Sequence, residues 1–217
     1  MRKLIVFFVV TTLLLTSCLG LKTNIVLKKD GSGTVAVEYS ISKGVYDIVV
    51  ENSDANTIPL GKEDFEEAIE DIDGLKLDSY KVREDDTNRI FDVEFSFKKT
   101  EALMNFLETQ TNTVGPACTY KSDNGKNILT LAFSVPNDDD EINDMKMFAQ
   151  SMFEGYKMDF SINLPAPCTV RYLNEQNIEV KSLPAGDVSI NKNTVSYVSS
   201  MGDLITVEQP VIIELVW

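Results

Sequence analysis

The sequence contains no histidine. That removes the usual general base near neutral pH, the commonest zinc ligand, and the Ser-His and Cys-His nucleophile pairs. Positive charge is also scarce. Twenty lysines and arginines stand against 34 aspartates and glutamates, a net charge of −14. A nucleic-acid binder needs basic patches to neutralise phosphates, so nucleic acid is excluded as an expected partner. Electrostatic adhesion to anionic lipid is disfavoured for the same reason. No apolar run after residue 18 approaches the ~20 residues of a membrane-spanning helix. Cysteine is limited to three residues. What remains is 43% hydrophobic and 25% charged, a globular rather than a disordered composition.

The first eighteen residues organise the rest. Met1-Arg2-Lys3 is a basic start, Leu4 to Leu15 is apolar apart from Thr11 and Thr12, and Leu15-Thr16-Ser17-Cys18 follows. A charged segment, an apolar segment and small residues make the layout of a secretory signal peptide. The closing four residues resemble the lipobox of bacterial lipoproteins. That resemblance implies cleavage after residue 17 and a diacylglycerol on the sulfur of Cys18. The expected division is signal peptide 1–17, lipidated tether 18–21 and a single domain over 22–217. Losing Arg2 and Lys3 leaves 18 basic against 34 acidic residues, or −16. Attachment to the membrane would then come from acyl chains, of which two or more are needed for stable anchoring. The tether is so short that the domain should lie close to the bilayer.

Cys118 and Cys168 are left as an even pair in a compartment that permits disulfides. A bridge would close a loop of about 50 residues and stabilise by ~4 kcal/mol in the chain-entropy model. The alternative is two buried free thiols.

Along the chain the apolar spacing alternates between two periods. Residues 22–42 read as a hairpin around Lys29-Asp30-Gly31-Ser32-Gly33, with Asp-Gly the strongest turn signal. A short helix is expected near 43–51 and a firmer one over 62–73, where Phe65, Ala68, Ile69 and Ile72 form a stripe ended by Gly74. A second hairpin covers 75–98; Phe91, Val93, Phe95 and Phe97 give the cleanest period-two pattern of the chain. Thr100 reads as the N-cap of a helix to about 110. A third hairpin turns at Ser122-Asp123-Asn124-Gly125, and Asn137 opens a helix over 138–153. After Gly155 only strands are expected, near 158–164, 170–173, 187–190, 194–199 and 211–217, a candidate β-rich subdomain over 155–217. The fold class is α+β: an antiparallel or mixed sheet built from ββα units, helices on one face and a β-rich C-terminal part.

Candidate chemistry is thin. Asn137-Asp138-Asp139-Asp140-Glu141 is the densest acid cluster, but it lacks the glycine and spacing of a calcium loop and reads as helix capping. Glu63-Asp64 and Asp85-Asp86 lie at a helix start and a turn, where acids are common. Met145, Met147, Met152 and Met158 gather around the third helix, as core or as an adaptable binding face. Trp217 ends an apolar strand. No catalytic residues, metal ligands or cofactors are expected.

The stretch Ile25-Val26-Leu27-Lys28-Lys29-Asp30-Gly31-Ser32-Gly33-Thr34-Val35 resembles the opening of the LppM-type domain of bacterial lipoproteins. There, too, a strand, an Asp-Gly-Ser-Gly turn and a Thr-Val strand follow the lipidated cysteine. The resemblance implies an α+β extracytoplasmic domain with a role in binding lipids or glycolipids. The chain departs from mycobacterial members in lacking a transmembrane helix near the C-terminus. The resulting expectation is a non-enzymatic envelope lipoprotein on the extracytoplasmic side of an inner or outer bacterial membrane, held by its lipid anchor and binding a lipid or a protein partner. A carboxylate-dependent hydrolase of envelope glycans and a structural assembly factor are the alternatives.

Overall fold

The computed structural model describes residues 20–44, 46–47, 60–110, 116–123, 125–133, 156–207 and 209–217. The signal peptide, Cys18, the 138–153 helix with Met145, Met147 and Met152, the 137–141 acid cluster and most of the 43–51 helix lie outside them.

The hairpins form where the turn residues direct. β1 (Gly20–Leu27) and β2 (Gly33–Ser42) pair antiparallel across the Asp-Gly turn. Gly31 adopts φ +81°, a conformation that side chains resist, and Asp30 fastens the loop by accepting from the Ser32 N–H at 3.0 Å and hydroxyl at 2.7 Å. β3 (Leu75–Glu84) and β4 (Asn88–Phe97) form the second hairpin. β4 then pairs with β2, so the two hairpins lie side by side.

The remaining elements are α1 (Lys62–Ile69), α2 (Thr100–Gln110), β5 (Ala117–Asp123), β6 (Lys126–Phe133), β7 (Lys157–Asn163), β8 (Thr169–Leu173), β9 (Glu179–Val180), β10 (Asp187–Asn191), β11 (Thr194–Ser200), α3 (Met201–Thr206) and β12 (Val211–Val216). They complete two sheets. One has seven strands in the order β10-β11-β7-β1-β2-β4-β3, and the other has five in the order β5-β6-β12-β8-β9. The β1–β7 pairing is parallel and the other pairings are antiparallel. Strands after residue 155 are shared between both sheets.

One face of the seven-stranded sheet carries the core. Ile25, Val35, Phe91, Val93, Phe95, Phe97, Phe160, Ile162, Val195 and Tyr197 are all buried there. At the β3–β4 side helices cover this face: Phe65 of α1 packs 6.1 Å from Phe95, and Phe106 of α2 packs 4.9 Å from it. At the β7–β11 side the second sheet covers it, through Phe133 at 5.6 Å from Phe160 and 4.6 Å from Tyr197. One continuous cluster therefore draws on both sheets and both long helices. Each large apolar side chain taken fully from water contributes roughly 2 kcal/mol. The opposite face is polar, with Lys22, Asn24, Glu38, Asp92, Glu94, Asp159 and Ser161 at alternate positions. This is the α+β, β-rich class with mixed and antiparallel sheets.

Four local expectations need correction. β1 begins at Gly20, so Gly20 and Leu21 belong to the sheet and not to a tether. α1 stops at Ile69 rather than 73, because tight turns, Ile72 N–H to Ile69 O and Leu75 N–H to Ile72 O, fold Ile72 back into the core. Thr100 is the first residue of α2 rather than the residue before it, and its hydroxyl donates across the fold to the Gly31 carbonyl at 3.3 Å. The C-terminal part is not strands alone, since α3 follows Ser200, whose hydroxyl accepts from the Asp203 N–H.

Candidate functional site

Two open concavities border the seven-stranded sheet, at opposite ends of its strands. The larger, about 460 Å³, lies where β1 ends, β2 begins and β4 ends. Three lysines from separate segments line it: Lys28 just past β1, Lys76 on β3 and Lys98 just past β4. Thr34, Ser96 and Lys76 are direct cross-strand neighbours in one row. Lys76 pairs with Asp78 at 2.9 Å, and the hydrogen bonds from Lys76 and then Ser96 hold the Asp78 carboxyl below its usual range. Lys28 and Lys98 make no ion pair among the described residues. The wall is stiff. A Cβ on Gly33 would stand 1.9 Å from the Val26 carbonyl oxygen and 2.5 Å from Phe97 Cζ, so only glycine lets the strands and ring approach this closely.

The smaller concavity, about 420 Å³, is lined by Lys157, Leu183 to Asp187, Val198 to Ser200 and Asp203. It lies at the Gly20 end of β1, because Lys157 pairs with Gly20. Tyr197 supports its loop by donating to the Ala185 carbonyl at 3.2 Å, and burial pushes the phenol up to about 12.

Of the two readings of Cys118 and Cys168, the structure shows free thiols. β6 and β12 lie between β5 and β8. Three strand spacings make about 14 Å, whereas a disulfide needs Cα atoms within ~7 Å. The register separates them further, since Cys118 aligns through Leu131 and Ile213 with Tyr172. Burial raises both thiols, Cys118 to about 12. One acid of each pair is occupied structurally. Asp64 accepts from the Leu60 and Gly61 N–H groups at 2.8 and 2.7 Å, capping α1. Asp85 accepts from the Thr87 and Asn88 N–H groups at 2.8 and 2.6 Å, which holds its carboxyl below the usual range. Met158 is buried core on β7. Trp217 extends the pairing of β12 with β6, exchanging backbone hydrogen bonds with Asn127. Among the described residues no three acids or cysteines gather as metal ligands would.

The fold has a counterpart among solved structures. It is similar to the folded domain of LppM from Mycobacterium tuberculosis. The TM-score is 0.53 at 12% identity, over 91% of this chain and 88% of that one. At that identity the likeness to LppM is one of fold. No family model and no curated protein matches the sequence. The lysine concavity escaped the sequence reading because its members come from three segments with no common spacing; only the Lys28-Lys29 and Lys98-Lys99 doublets hinted at it.

Proposed function

We propose that the chain is a lipid-anchored envelope protein whose single folded domain binds a lipid or a protein partner and performs no catalysis. The observation that carries this reading is the start of β1 at Gly20, two residues beyond Cys18 of the lipobox-like segment. A diacylated Cys18 would hold the sheet directly at the bilayer surface, as a docking domain requires and a freely reaching enzyme does not. The LppM-like fold supports the same reading. The structural use of Asp64 and Asp85 speaks for binding over carboxylate hydrolysis.

The test is metabolic labelling with palmitate in the source cells, beside a Cys18→Ser variant. Label on the native protein that disappears with the serine supports the anchor. An unlabelled native protein that enters the aqueous phase of a detergent separation overturns it. Native mass spectrometry of the full chain, released gently from its own membranes, then reads the ligand: a co-purified lipid mass or a bound protein supports binding, and an empty chain that no envelope fraction stabilises against melting counts against it.

A further inference from the structure

We propose that the concavity between Lys28, Lys76 and Lys98 is a binding site for a small phosphate-bearing ligand, presented on the end of the domain opposite Gly20. The orientation rests on the anchored reading above; the site itself does not.

Three solvent-exposed lysines from distant segments line one hollow of about 460 Å³. Like charges brought together repel unless a counter-charge intervenes. Acidic side chains are plentiful, 34 in all, yet of the three lysines only Lys76 forms an ion pair among the described residues, with Asp78, while Lys28 lies within the field of Asp30. The turn carboxylate Asp30 directs its hydrogen bonds to Ser32 in its own loop. An anionic guest between the lysines would add counter-charge, above all beside Lys98. The hydroxyl of Thr34, in the same cross-strand row as Ser96 and Lys76, adds a neutral donor.

The residue types choose among anions. A carboxylate is matched best by the planar fork of arginine, and no arginine lines the hollow. Separate lysine point charges suit phosphate oxygens, which project in several directions. The volume falls within the ~300–1,000 Å³ of small-molecule sites, so a headgroup or sugar phosphate fits as well as a bare ion. A long polyanion is disfavoured, since the chain carries −14 in total.

The site is also rigid. Thr100 ties the turn to the start of α2, and Gly33 and Phe97 fill the floor so closely that no side chain fits between them. The backbone is already ordered, so the ordering cost of binding falls on the three exposed lysine side chains. β1 has eight residues from Gly20 to Leu27, about 23 Å of strand. Lys28 therefore lies well beyond the ~8 Å screening length from a bilayer at the Gly20 end. The phosphate comes from solution or from another surface, not from the anchoring leaflet.

The experiment uses the full-length protein in phosphatidylcholine nanodiscs. Inorganic phosphate, pyrophosphate, glycerol phosphate and separate phosphatidylglycerol vesicles are titrated in turn. Amide NMR shifts of Gly33 and Gly74 report the hollow. Lys28→Gln, Lys76→Gln and Lys98→Gln are combined in one variant, and Lys121→Gln, Lys126→Gln and Lys181→Gln in a control. The expected result is that at least one probe moves the two glycines, that the first variant weakens it by about tenfold or more, and that the control stays within about twofold. Response to glycerol phosphate identifies a soluble ligand; response to the vesicles alone identifies an opposing bilayer. Glycines that no probe moves, or equal affinity in the first variant, overturn the site. If palmitate labelling fails while the shifts persist, the orientation falls and the site stands.

Discussion

The ring of Phe97 crosses directly over Gly33, its partner in the β2–β4 register. This contact seals the end of the aromatic core and forms the floor of the lysine hollow. Gly33→Ala should lower stability by about 3 kcal/mol, the upper part of the range for overpacking, because a backbone oxygen as well as the ring must move. Phe97→Leu in the same chain removes the ring but not the Val26 carbonyl, so the double variant should stay less stable than the native protein. Urea unfolding with a common m-value checks both.

The cysteines give a chemical test. The full chain isolated without reductant and alkylated after unfolding should carry label on both Cys118 and Cys168, read by peptide mass spectrometry. Before unfolding, Cys118 should resist alkylation at pH 8, because burial pushes its thiol up to about 12 and leaves almost no thiolate. A peptide pair linked by loss of two hydrogens would refute the strand order of the second sheet.

Asp85 predicts an acid limit. Backbone N–H bonds from Thr87 and Asn88 lower its folded pKa below the ordinary 3.8. A carboxyl depressed on folding contributes stability that is fully present above the unfolded pKa and lost as pH falls through the folded value. The melting temperature of native protein should exceed that of Asp85→Asn by a constant margin from pH 7 to about 5, and the margin should close below about pH 4. A margin independent of pH would mean that the charge of Asp85 plays no part.

Arg171 of β8 and Glu214 of β12 form a pair across the second sheet, with the Glu214 side chain only 13% exposed. Arg171→Ala leaves a largely buried carboxylate alone and should cost about 2 kcal/mol. Adding Glu214→Gln should recover part of that loss. The exposed Arg83 links to Glu38 and Asp92 are different; Arg83→Ala should change stability by less than about 1 kcal/mol. Chemical denaturation of the three variants beside the native protein separates the two cases.

Much of the local structure was legible. The alternation of Phe91, Val93, Phe95 and Phe97 is a one-face burial pattern, and α2 follows from Leu103, Phe106 and Leu107 at helical spacing. The Asp30-Gly31 turn carries its own geometry. Ser200 with Asp203 three residues on was a readable start signal for α3 that the surrounding strands obscured. What could not be read was pairing between distant segments. Nothing near Gly20 announces Lys157 as its neighbour, and nothing near Cys118 shows that β6 and β12 separate it from Cys168. Such contacts depend on which apolar faces meet across the whole core. The lysine hollow, made of strand ends that meet only in the finished sheet, is hidden for the same reason.

The parallel seam between β1 and β7 has a cost in time. In chain order β1 and its hairpin partner come early, but well over a hundred further residues must follow before β7 can dock along the other edge. Until then the first strand presents an open row of backbone donors and acceptors, the kind of template that recruits stray chains. Closure of this seam is therefore a natural rate-limiting step, and the nascent hairpin is the stretch a chaperone has most reason to shelter.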